Sequence, residues 1–310
     1  MSRAKSRACS LGGQDMADMM VRAISKCGRF RAVAAVTTGV VEALRLRHNS
    51  TPVATAALGR AMTGAFLMGS ELKAGQRLMI QILGSGPLGE VFAETTPDGS
   101  GRGYVRHPQV DLPGEGGKIQ VGKAVGTNGT VTVLKDLGLK EPYRGVVPIT
   151  SGEIGKDLAY YLTVSEQIPS AVALGVYVEP DLSVGAAGGY LVQTLPGATE
   201  EEIGMVEANI RTMPLPTELI RMGRDPQDIL FLALKGYEVR FLGEQRLRFR
   251  CRCSRGRLVG ILVALGPVEI EGMILEQGGV EVTCEFCRKT YRFSRQALEG
   301  LLQKALDKGP

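Results

Sequence analysis

At 310 residues the chain is longer than one hydrophobic core usually grows, so a large domain with a smaller companion is expected. Its 44% hydrophobic and 22% charged residues are ordinary for a globular protein, and no run approaches the roughly 18 apolar residues of a membrane span, so no membrane partner is expected. The net charge of +5 is modest and concentrated near the late cysteines.

Residues 1–20 carry Arg3, Lys5 and Arg7 but lack the contiguous apolar core of a secretory signal and include Asp15 and Asp18. They read as a disordered extension, with organelle targeting as the alternative and a cytoplasmic location as the expectation. Residues 21–196 read as a mixed α+β domain. Phe30 to Val41 is strand-like; Asn49, Ser50 and Thr51 before Pro52 open a helix whose apolar residues recur from Ala54 to Leu72, with Gly75 as its stop. Arg77 to Leu83 and Glu90 to Thr95 are strand-like, a short helix fits around Ser151 to Leu162, and Gly188 to Pro196 is a further strand. The order is not a regular βαβ repeat, which makes the fold class α+β. Between Leu83 and Glu90, Gly84-Ser85-Gly86-Pro87-Leu88-Gly89 matches the dinucleotide fingerprint, but Glu90 to Thr95 alternates like a strand instead of opening a helix, so the match reads as a turn.

The texture changes after Pro196. Thr199 with Glu202 forms a capping-box start for a helix with Ile203, Val206 and Ile210 on one face. Asp225-Pro226 opens another through Ile229, Leu230, Ala233 and Leu234, ending at Gly236. Residues 197–245 thus form a helical linker of short capped pieces that depend on docking for stability. Residues 246–310 form a small cysteine-bearing module, closed by a helix from Ser294 with Leu298, Leu301, Leu302 and Ala305 on one face.

Cys251-Arg252-Cys253 and Cys284-Glu285-Phe286-Cys287 supply four sulfurs in two close pairs, the arithmetic of a tetrahedral all-thiolate zinc site with one Zn2+ per chain. The second pair lies between Val280-Glu281-Val282 and Thr290-Tyr291-Arg292-Phe293, so it reads as the knuckle of a β-hairpin supported by Val280, Val282, Tyr291 and Phe293. A module of about 60 residues buries little, and a structural zinc supplies roughly 10–16 kcal/mol of folding free energy in comparable small sites. On spacing alone a static zinc ribbon is favoured. The C-x-C points the other way, because adjacent thiolates among basic residues are poised for oxidation, which would eject the metal and unfold the module. The basic residues are Arg246, Arg248, Arg250, Arg252, Arg255, Arg257, Arg288, Lys289, Arg292 and Arg295; their first expected role is local, lowering thiol pKa and offsetting the charge of the site.

Arg248-Phe249-Arg250-Cys251-Arg252-Cys253-Ser254, followed by Cys284-Glu285-Phe286-Cys287 and Tyr291-Arg292-Phe293, resembles the redox-regulated 33 kDa heat-shock holdase family. Ala56-Ala57-Leu58-Gly59-Arg60, Gly86-Pro87-Leu88-Gly89, Ala124 to Gly129, Tyr160-Tyr161, Ser165 to Ser170 and Ala187-Gly188-Gly189 resemble family segments in family order, so the likeness covers nearly everything after about residue 20. The resemblance implies an ATP-independent chaperone, not an enzyme, that holds unfolded or partly folded clients. It further implies inactivity when reduced and zinc-bound, and activation when Cys251 pairs with Cys253 and Cys284 with Cys287. Zinc loss and linker unfolding would then expose the client surface, with a homodimer as the active form. One departure is Gly256, where the family usually has Glu; glycine weakens a helix start by roughly 0.5–1 kcal/mol.

Cys9 and Cys27 have no partner at metal spacing and read as incidental thiols, while His48 and His107 read as surface or turn residues. Two other function classes fit the residues less well. A zinc-ribbon nucleic-acid binder would need stacking aromatics on an exposed sheet, whereas Phe249, Tyr291 and Phe293 read as core. A thiol oxidoreductase would need its C-x-x-C at a helix N-terminus, which the hairpin context denies. No nucleic-acid partner is expected.

Overall fold

In chain order, β1 (Met19–Ser25) and β2 (Phe30–Val36) form an antiparallel hairpin, and α1 (Thr38–His48) and α2 (Pro52–Met68) come next. The computed structural model describes residues 17–306 apart from 115 and 117, so Cys9 and most of the expected extension lie outside the described residues. β1 takes in Met19 and Met20, which the sequence placed in the extension. The strand expected to run to Val41 ends at Val36, because the Asp18 carboxylate accepts from the Gly39 and Val40 amides and so caps the start of α1.

The α2 helix stops at Gly69, not Gly75. A Cβ at Gly69 would come within 2.5 Å of the Thr95 methyl, so only glycine lets the turn sit against the next sheet. Fourteen of its seventeen residues are buried, an all-round apolar helix enclosed by the domain. On one side lie Ile80, Ile82, Val91, Ala93, Val131 and Val133; on the other, Val33, Ala35, Ala187 and Leu191; all belong to a single core.

The first group comes from a six-stranded sheet: β3 (Arg77–Gly84), β4 (Glu90–Thr95), β5 (Ser100–Val105), β6 (Gly129–Asp136), β7 (Tyr143–Pro148) and a late two-residue strand, β11 (Arg248–Phe249). Their spatial order is β11-β5-β4-β3-β6-β7. The glycine-rich segment after β3 is a turn, as expected, and it packs on the backbone of α3 (Val121–Val125), with the Gly86 amide donating to the Val125 carbonyl at 2.8 Å. After α4 (Ile154–Val164), β8 (Ser170–Val178) and β9 (Val184–Thr194) join the first hairpin in a five-stranded sheet, order β10-β1-β2-β9-β8, closed at its edge by β10 (Val239–Arg246). A bulge interrupts the β1–β10 ladder between Arg22 and Ala23, where Gly243 adopts φ 151.

The outer face of this second sheet is covered by the linker helices α5 (Glu200–Thr212), α6 (Pro216–Arg221) and α7 (Pro226–Ala233). The capping box is present, with the Glu202 amide on Thr199 Oγ1 and the Thr199 amide on the Glu202 carboxylate. Val206, Leu219, Ile229, Leu230 and Leu234 pack on Val21, Ala32, Ala34, Val36, Ala186 and Val192. Burial on both faces explains why Ala32 to Val36 is a continuous apolar run without alternation.

The C-terminal module holds α8 (Arg255–Leu265), α9 (Pro267–Gln277), the hairpin β12 (Gly279–Thr283) with β13 (Thr290–Ser294), and α10 (Arg295–Leu306). Its own core is small, built on Leu262, Ile270, Ile274, Tyr291, Phe293, Leu298 and Leu301. In the hairpin Val280 stands opposite Phe293 and Val282 opposite Tyr291, so the four expected supports share one face.

Candidate metal centre

The two cysteine pairs reach one point from different directions. Cys251 and Cys253 stand on the extended stretch between β11 and Ser254, whose side chain caps α8 by accepting from the Arg257 amide. Cys284 and Cys287 stand on the turn between β12 and β13, which closes with the Cys284 amide on the Lys289 carbonyl at 3.0 Å and the Arg288 amide on the Cys284 carbonyl at 2.8 Å. Arg288 takes a left-handed φ of 58 to complete it.

Among the described residues these four Sγ atoms are a set that could hold a metal, all within 4.8 Å of one another. Cys251 to Cys284 is 3.7 Å and Cys253 to Cys287 is 3.4 Å. A metal–sulfur bond of about 2.3 Å in a tetrahedron puts sulfurs about 3.8 Å apart, so the cage is close to the size a thiolate-bound zinc requires. All four cysteines are free and half-buried.

Burial pushes the Cys251 thiol up and carries Cys287 up to about 12. At Cys253 burial opposes ionisation as well, but the Tyr291 hydroxyl at 3.1 Å and the other sulfurs outweigh it and bring that thiol down to about 7. Tyr291 is itself raised to about 12, first by its hydrogen bond with Cys253. Only one of these three thiols is drawn toward ionisation near neutral pH, so a full set of thiolates calls for a cation among them.

The flanking arginines correct the expectation that they serve the sulfurs. Arg248 reaches Asp98 at 2.8 Å, Arg250 reaches the same carboxylate at 3.5 Å, and Arg252 pairs with Glu94. Arg255 lies over the Phe293 ring and Arg292 pairs with Glu281. The first three join the module to the large domain, where β11 adds a short parallel strand to β5.

The same docking uses residues that sequence reasoning passed over. Phe286, at the tip of the knuckle, meets Phe92 and Tyr104 edge-on at 5.7 and 5.5 Å, and the Arg102 guanidinium lies 4.0 Å from its ring centre. Arg102 is also bonded to Glu94 at 2.8 Å. His48 is not a surface residue: it is buried, with Nε2 3.1 Å from the Gly103 carbonyl and 3.2 Å from that of Phe286. Desolvation, then the charge of Arg288, lowers its pKa, which keeps the ring neutral with Nε2–H facing both carbonyls. His107 is exposed as expected, and Cys27 is exposed with its thiol 3.2 Å from Ser25 Oγ.

Comparison with known proteins places this arrangement, a large mixed α+β domain with helices packed on one sheet and a four-thiol module that could hold a metal, in a class of chaperones. The chain belongs to the Hsp33 family: the family model described as "Hsp33 protein" matches residues 18–294. Relatives named 33 kDa chaperonin include one from Desulforamulus reducens, 49% identical over 94% of this chain and 100% of the relative. Another, from Geobacter sulfurreducens, is 46% identical over 92% and 94%. The crystal structure of the 33 kDa chaperonin from Thermotoga maritima superposes with a TM-score of 0.87 at 37% identity, covering 94% of this chain and all of that one. Members of the family are named as chaperonins, not enzymes. No single helix among the described residues is long and apolar enough to cross a membrane.

Proposed function

We propose that this chain is an ATP-independent holdase switched by thiol oxidation, with Cys251, Cys253, Cys284 and Cys287 holding one Zn2+ in the inactive, reduced form. The observation that carries the reading is the four half-buried sulfurs at tetrahedral spacing, on a module whose own core is small and whose knuckle rests on the large domain. A bound zinc would supply the folding free energy that so small a core lacks.

Oxidation by a peroxide removes four electrons from the four thiolates. Two S–S bonds form, proposed as Cys251–Cys253 and Cys284–Cys287, while two peroxides take those electrons and four protons and leave as four waters. The cage would then offer no thiolate to a metal, residues 246–310 would lose their anchor, and the linker, residues 197–245, would come away, its helices from the sheet face and β10 from β1. Apolar faces so released hold unfolded clients, and the oxidised form is proposed to dimerise. Thiols that must stay reduced until stress arrives suit a reducing cytoplasm. Nucleic acid has no role in this reading, since Arg248, Arg250 and Arg252 are engaged with carboxylates.

The test is suppression of aggregation of a thermally unfolding enzyme. Reduced, zinc-loaded protein should be inactive and peroxide-treated, metal-free protein active. Equal activity in both forms overturns the switch.

A further inference from the structure

On the outer face of the six-stranded sheet, Phe92 pairs with Tyr104 and Glu94 with Arg102 across the β4–β5 ladder. Phe92 and Tyr104 stack at 5.4 Å with an interplanar angle of 11°, so the two rings form one aromatic pair on this face. Glu94 is buried yet faces the same way, bonded to Arg102 across the ladder and to Arg252 of the module. Phe92 and Glu94 are two residues apart in one strand, a same-face spacing of about 7 Å. In the docked form the module fills both positions: Phe286 covers the aromatic pair and Arg252 meets the carboxylate. The two come from different segments of the module, one on the C-x-x-C knuckle and the other within the C-x-C. Beyond Phe92 the face is open, with a pocket of about 240 Å³ where Phe92 is joined by Met79, Thr132 and Leu134.

We propose that this ladder is a recognition surface for extended client segments carrying an aromatic residue and an arginine two positions apart, and that Phe286 and Arg252 occupy it as an internal stand-in. The inference rests on the chaperone reading and adds the client chemistry. An extended segment puts residues i and i+2 on one side at about 7 Å, which matches the separation of the aromatic pair and Glu94. Segments of this kind are buried or paired in folded proteins and become available on unfolding. The carboxylate selects a cation over an anion, and the open pocket beside Phe92 gives the segment room to continue along the sheet. Release of the module by loss of the sulfur cage frees both positions together, because Arg252 lies between two of the cysteines and Phe286 between the other two.

Fluorescein-labelled peptides with a central Phe-Thr-Arg or Arg-Thr-Phe, titrated by anisotropy, test the surface. The counterparts are Phe-Thr-Glu and Ala-Thr-Arg. Oxidised, metal-free wild-type protein should bind the aromatic–arginine peptides about tenfold more tightly than either counterpart, the scale of one lost aromatic or charged contact. Reduced, zinc-loaded wild type should bind them at least about tenfold more weakly than the oxidised form, and Phe286→Ala with its zinc retained, which frees the aromatic pair but leaves Arg252 on Glu94, should recover part of that loss. Phe92→Ala should abolish binding to the oxidised form. Should that variant fail to fold, Glu94→Gln, nearly unchanged in shape, should erase the preference for arginine over glutamate. Equal affinity for all peptides, affinity unaffected by Phe92→Ala or Glu94→Gln, or a Phe286→Ala protein that self-associates without gaining peptide binding overturns the proposal. Aggregation suppression measured alongside separates the two readings. If oxidation switches suppression on while the peptides show no selectivity, the recognition surface is wrong and the redox switch stands. If Phe286→Ala gains peptide binding while oxidation changes nothing, the switch is wrong and the surface stands.

Discussion

Truncating Leu230 to alanine should activate the reduced protein without touching a sulfur. Leu230 is fully buried on α7 against the outer face of the five-stranded sheet, in a cluster separate from the core around α2. Removing a buried leucine costs about 3 kcal/mol, here charged mainly to docking, because the helices flanking it are short and have little stability once detached. At about 1.4 kcal/mol per factor of ten, the undocked linker population rises roughly 150-fold. The assay is aggregation suppression under reducing conditions with zinc content verified, beside hydrogen exchange of α5 to α7. Met222→Ala, at a position 69% exposed, serves as the control and should change neither. If exchange shows the helices undocked while suppression stays at the wild-type level, the linker is a passive tether and the reasoning fails.

The reduced protein should carry one zinc per chain, and Cys284→Ser should lose most of its zinc affinity; metal analysis and a competing chelator decide, and full affinity in the variant rules out the cage. Gly256→Glu should stabilise the module by about 1 kcal/mol, since the position is open, lies in the first turn of α8 and gains an acid near a helix N-terminus that has none. Slower exchange in β12 and β13 and a higher peroxide threshold would show it, and a less stable module would refute it. Asp18 is raised from 3.8 to about 6, first by burial and in spite of the Gly39 and Val40 amides that favour its charge. The fold therefore binds this proton more tightly than the unfolded chain does, and the resulting stability, on the order of 3 kcal/mol, is complete below pH 4 and lost as pH rises through 6. The stability difference between wild type and Asp18→Asn should shift by about that amount between pH 4 and pH 7, and parallel pH curves would sink the assignment.

The cysteine cage, its hairpin and the capped linker helices were legible because each is written locally, in a spacing, a capping pair or an alternation. Val280, Val282, Tyr291 and Phe293 could be placed on one face from period two alone. The features that escaped were set by distant contacts. The start of α1 depends on Asp18, twenty or so positions earlier, and the end of α2 on the Thr95 methyl across the core. His48 offered no local sign that Gly103 and Phe286 would bury it. The arginines near the cysteines were assigned to their sequence neighbours, while their partners lie about 150 positions earlier, Glu94 on β4 and Asp98 in the turn after it. Phe286 did carry a signal: a bare aromatic at a knuckle tip has nothing within its own hairpin to cover it.

Between the linker helices and the cysteines the chain is stitched down by two seams of very different length. β11 is held to β5 over two residues, and β10 to β1 over seven, divided four and three by the bulge at Gly243. A module coming loose pulls on the short seam first and peels it in one step. The tension then meets the long seam end-on at Arg246, where the pairs separate in succession and the bulge gives a resting point halfway. Until the tear runs through to Val239, none of that pull reaches α7. If the module is released as proposed, loosening would therefore travel in stages, the knuckle and the sheet face beneath it coming free before the long seam is unpicked far enough to lift the helices. In the proposed switch, the extent of the unstitched strand would gauge how far the release had run.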